Sequence, residues 1–199
     1  MIETPFRFED KITDEEFQKL GRFLTRWAMI EHILANCLRS LLNMDPKAAT
    51  VMIFPLSFDL RFKNIEEIAK YRSLNARAAA LLSELKPLIT AMQYIRNTVV
   101  HGVIMDFDDG TEPVFQLRSK GRILHKADLL QCEDLINYTS HITQALRLSL
   151  GDKDSDKAHL IENLLTSLPD RPPLPDFLPP ECRKFPFDDK VERASLRKA

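Results

Sequence analysis

Phe17, Leu20, Leu24, Trp27, Glu31, Leu34, Leu38 and Leu41 follow one another at alternating spacings of three and four, and all but Glu31 are apolar. That row is one face of a helix of about seven turns, and a face so apolar must be buried against other elements. The helix has a marked start: Thr13 and Glu16 stand three apart just before the run, the pattern of a capping box. A chain that opens with so long a buried stripe is committed to helix-on-helix packing. The exception, Glu31, needs a cation or donor, because an uncompensated buried carboxylate costs several kcal/mol.

The rest of the chain repeats the theme. Asp45 and Pro46 read as the N-cap and first residue of a second helix, which stops near Pro55. A third runs from about Phe58 to Leu74. A fourth starts near Asn75 and carries the stripe Leu81, Leu85, Leu88, Met92, Ile95 and Val99. Pro87 lies inside it, where proline kinks or divides a helix. Gly102 ends it. The pattern then changes over Gly102–Lys126, rich in β-branched and aromatic residues with turn signals at Asp109-Gly110 and Lys120-Gly121, which predicts a small β-hairpin or meander. A fifth helix follows from about Lys126 to Leu150, and a short sixth from about Ser155 to Leu168. The fold class is all-α: a helical bundle of five to six helices with a small β-hairpin insert between the fourth and fifth.

Seven prolines fall between Pro169 and Pro186, so a helical domain over 1–168 gives way to a proline-rich extended tail over 169–199. The tail could bind a partner, or brace its own body through Phe177 and Leu178. The net charge of −1, from 28 basic against 29 acidic residues, lacks the basic excess of proteins that bind long nucleic acids. The acidic "MIETPFRFED" is no signal peptide, and no run approaches a membrane span. Three widely separated cysteines suggest neither a disulfide framework nor a zinc site, and a cytoplasmic setting fits. Five glycines form no phosphate-binding loop, and no nucleophile elbow exists.

The chemistry concentrates at the end of the fourth helix, in "YIRNTVVHG". Arg96 continues a row with Leu82 and Ile89 and so flanks the apolar stripe. Asn97 and His101 are four apart and share a face. Arg96 and His101 are five apart, about 140° around an ideal helix. For them to meet, the helix end should unwind or a second subunit should supply the missing half. Arg96 is also the best cation for Glu31 among Arg61, Lys63 and Arg72. Bare Arg-to-His spacing of this kind recurs at Arg26–His32 and Arg118–His125, but only Arg96 is followed by Asn and closes a core helix.

In these residues the chain resembles the HEPN superfamily of helical domains, whose motif is Arg, often then a polar residue, and His after four to six positions. The resemblance spans about Thr13 to Gly151. It implies a homodimer and a metal-independent endoribonuclease that needs no cofactor, with RNA as substrate and a toxin or antiviral role. Arg96 would hold the phosphate, His101 would move the proton, Asn97 would orient His101 or the phosphate, and Glu31 would support Arg96. Arg61 and Lys63, on the basic side of the third helix, are weaker candidates for guiding RNA. A toxin would have an antitoxin or regulatory protein as partner. The alternatives are a non-catalytic HEPN-like dimerisation or interaction module, and a nucleotide-sensing domain without turnover.

Overall fold

The computed structural model describes residues 13–105, 114–117, 122–125, 129–150, 155–175 and 178. Helix α1 (Asp14–Leu42) begins at the anticipated capping box: Thr13 Oγ1 accepts from Glu16 N–H, while the Glu16 carboxylate accepts from Thr13 N–H at 2.7 Å. It ends at Asn43, which takes the left-handed conformation (φ 50°) that asparagine tolerates better than most side chains. Asp45 caps α2 (Pro46–Met52) and Ser57 caps α3 (Phe58–Tyr71). Asn75 caps α4 (Ala76–His101), accepting from Ala78 N–H at 2.7 Å. The strands β1 (Val103–Met105), β2 (Val114–Leu117) and β3 (Arg122–His125) come next, then α5 (Leu129–Ser149) and α6 (Ser155–Thr166).

The bundle is centred on α5, which packs against α1, α4 and α6, while α1 also packs against α3. This explains why α1 is buried more broadly than one stripe. Phe23, Ile30, Ile33 and Cys37 are buried along with Leu20, Trp27, Leu34, Leu38 and Leu41, whereas Phe17 is 48% exposed. Trp27 meets Phe58 of α3 with ring centroids 4.6 Å apart. On the α5 side, Arg22 Nε lies 3.2 Å from Glu133 Oε1, and Arg26 donates to Asn137 Oδ1. The buried Thr139 and Thr143 satisfy their hydroxyls by donating to the carbonyls of Leu135 and Thr139, each at 2.7 Å.

Pro87 does not divide α4: the helix is continuous from Ala76 to His101, with Pro87 buried within it. Gly102 caps α4 in extended backbone (φ −78°, ψ 155°), a conformation open to any residue. The insert after α4 is not a simple hairpin. It comprises three short antiparallel strands in the order β1-β2-β3, with Val103 opposite Gln116 and Val114 opposite His125. The two turn signals at Asp109-Gly110 and Lys120-Gly121 lie outside the described residues. β2 and β3 contact α4.

Part of the tail lies on the body. Leu178 is 2% exposed and belongs to the core, Pro175 is buried, and Leu174 packs on the core's edge. Leu178 N–H donates to Pro175 O at 3.1 Å. Arg171 Nε lies 3.2 Å from Glu84 Oε1 of α4, and the same carboxylate oxygen accepts from Tyr138 OH of α5 at 3.2 Å. Of the two readings of the tail, bracing its own chain is the one these residues display. Phe177 lies outside the described residues.

Candidate functional site

The last turn of α4 keeps its helical hydrogen bonds to the end, with Gly102 N–H donating to Thr98 O at 2.8 Å. Ile95 and Thr98 face inward and are fully buried, and Thr98 Oγ1 donates to Tyr94 O at 2.9 Å. These two residues fix the helix end on the bundle. They leave Arg96 and Asn97 half-buried and His101 exposed.

Arg96 Nη1 donates to Asn97 Oδ1 at 3.0 Å and lies 3.2 Å from His101 Nε2. The expected obstacle of 140° is therefore crossed without unwinding and without a second chain. The long arginine side chain spans the angle that the backbone does not. A guanidinium only donates, so His101 Nε2 must present its lone pair to Arg96, and a neutral ring then carries its proton on Nδ1. Both hydrogen bonds use Nη1. Nε and Nη2 of Arg96 make no hydrogen bond among the described residues and stand available for the paired oxygens of a phosphate.

Glu31 does not join this cluster. Its carboxylate accepts from the indole N–H of Trp27 at 2.7 Å, one turn earlier on α1, and no ion pair with Arg96 exists within 4.0 Å. Glu31 is half-buried, so the indole and water together suffice where a deeply buried carboxylate would need a cation. Arg61 is occupied as well. Its Nε donates to Leu56 O and its Nη1 to Glu31 O, both at 2.9 Å, tying α1 to the turn before α3. Lys63 is exposed on α3.

One neighbour of the cluster escaped the sequence reading. Gln93, one turn before Asn97 on the same face of α4, donates its side-chain amide to Asp59 Oδ1 of α3. The buried Glu84, 5% exposed, escaped it too. Its signal was present, since it sits between Leu81 and Leu88 on the apolar side of α4. Among the described residues no group of three or more His, Cys, Asp or Glu side chains could hold a metal ion, and no helix is long and apolar enough to cross a membrane. No family model matches the chain, and neither a curated protein nor a solved structure is found to resemble it.

Proposed function

We propose that the chain is a HEPN-like, metal-independent endoribonuclease, cytoplasmic and homodimeric, acting as a toxin or antiviral effector under the control of an antitoxin or regulatory protein. The observation that supports this reading is the convergence of Arg96, Asn97 and His101 within hydrogen-bonding distance at an exposed helix end. An incoming phosphate would be held by Arg96 Nε and Nη2, and Asn97 Oδ1 would keep the guanidinium from swinging away. When the guanidinium turns to the phosphate it releases His101 Nε2, whose lone pair can then accept the ribose 2′-OH proton. The 2′-oxygen then forms a bond to phosphorus as the bond to the 5′-oxygen breaks. Arg96 offsets the charge that builds on the phosphate. The 5′-oxygen leaves with a proton from imidazolium, and a 2′,3′-cyclic phosphate is left. The need for a 2′-OH restricts such a site to RNA. The net charge of −1 favours short or locally bound substrates over long duplexes.

The second reading is a non-catalytic HEPN-like dimerisation or interaction module. It is favoured by the fact that Arg96 Nη1 is already satisfied within its own chain, as in a polar clamp. One experiment separates the two. Purified protein is incubated with RNA in EDTA and the products are examined for cyclic-phosphate ends. Cleavage that disappears in His101→Ala supports the enzyme. No cleavage, or cleavage indifferent to that substitution, leaves the interaction module.

A further inference from the structure

Gln93, Asn97 and His101 are successive members of one i, i+4 row on α4, so their side chains stand about 5–6 Å apart along a single face. Two of the three have orientations forced by their partners. Asn97 turns its oxygen to Arg96, because a guanidinium can only donate. Its amide nitrogen therefore points away. Gln93 turns its nitrogen to Asp59, because a carboxylate can only accept. Its carbonyl oxygen therefore points away and makes no hydrogen bond among the described residues. The face beside Arg96 thus displays an acceptor, then a donor, in fixed order.

Charge decides what part of a nucleic acid can lie on the Gln93 end. Asp59 is exposed there. A carboxylate beside Gln93 repels a phosphate, while Arg96 one turn away attracts one. A strand whose phosphate sits on Arg96 must therefore turn a base, not its backbone, toward Gln93. The outward oxygen of Gln93 suits an exocyclic amino group and opposes a carbonyl in the same place.

We infer that Gln93, oriented by Asp59, reads the base flanking the phosphate held by Arg96 and selects cytosine, with its amino group, over uracil, with its carbonyl. This specificity rests on the cleavage reading above. It assigns Gln93 a contact to substrate and Asp59 a positioning role.

The test uses matched single-stranded RNAs that differ only by cytosine or uracil beside one cleavable position, cut by the full-length protein in EDTA. The parent is expected to prefer the cytosine substrate by about tenfold, the worth of one well-placed hydrogen bond against a clash of acceptors. Gln93→Leu removes the acceptor and should bring the two rates together, and Asp59→Asn should narrow the gap by freeing the amide to rotate. A simple clip between α3 and α4 predicts lower thermal stability in both variants with the preference unchanged, and that result overturns the inference. Cleavage by the parent with no preference overturns it as well, while leaving the cleavage reading intact. Absence of any cleavage, with the parent folded, overturns both.

Discussion

Arg171 Nε lies 3.2 Å from Glu84 Oε1, and the two side chains are only 12% and 6% exposed. The pair joins the proline-rich segment to the fourth helix at a nearly dry position. Removing one member leaves the other charged and poorly solvated. Arg171→Ala is therefore expected to lower the unfolding free energy by about 3 kcal/mol, and Arg171→Met combined with Glu84→Leu should recover most of that loss. Urea unfolding of the single and double variants measures both. An unchanged midpoint in Arg171→Ala would show that the segment is not held by this pair.

Glu31 serves Trp27, so its role should be read in stability. Glu31→Gln keeps an acceptor for the indole and is expected to change stability by less than about 0.5 kcal/mol, while Glu31→Ala strands a buried donor and costs about 1–2 kcal/mol. RNA cleavage should be the same in both. Loss of cleavage in a folded Glu31→Ala protein would reveal a coupling to Arg96 that no hydrogen bond or ion pair between the two carries.

At the helix end the geometry of the guanidinium should matter more than its charge. Arg96→Lys keeps the cation but not the fork and is expected to reduce kcat/KM on RNA by about 100-fold or more. Asn97→Ala leaves the fork but frees it to wander, for a smaller loss of about tenfold. Equal rates in Arg96→Lys and the parent would remove Arg96 from the chemistry.

Cys37 gives a pH signature. Burial pushes its thiol up from the usual 9.0 to about 12, opposed only in part by Arg147. Above about pH 9 the unfolded thiol loses its proton while the folded one keeps it. The folded state then binds more protons, and stability falls as pH rises, by up to about 1.4 kcal/mol per unit between the two values. Cys37→Ala should flatten that slope in urea titrations between pH 9 and 10.5. The same burial predicts that Cys37 resists thiol reagents until the protein unfolds.

The contrast between Glu31 and Glu84 shows where the sequence was legible. Glu31 interrupts an apolar stripe and Glu84 borders one. Periodicity located the stripes, and caps such as Thr13, Asp45 and Asn75 located the helix starts, because these are local effects. Which stripe runs through the middle of the bundle depends on what packs on either side. α1 has Glu31 at its margin with an indole four residues away, while α4 has Glu84 in the interior. The cation for Glu84 comes from Arg171, 87 residues later in a segment whose prolines gave no sign of where it would lie. The Arg96–His101 contact was misjudged for another reason. Helical angles describe Cβ directions, and an arginine with four rotatable bonds can reach across an angle that separates two backbones.

The proline-rich segment that Arg171 straps to Glu84 has a consequence for synthesis. The ribosome releases Glu84 long before it makes Arg171, and at ordinary elongation rates the interval is on the order of ten seconds. During that time the carboxylate has no Arg171 to pair with, so the fourth and fifth helices cannot close around it without a penalty. Completion of the fold waits for the strap. Polypeptides cut short before Arg171 would carry the interior carboxylate without this cation, and their own instability would mark them for proteolysis.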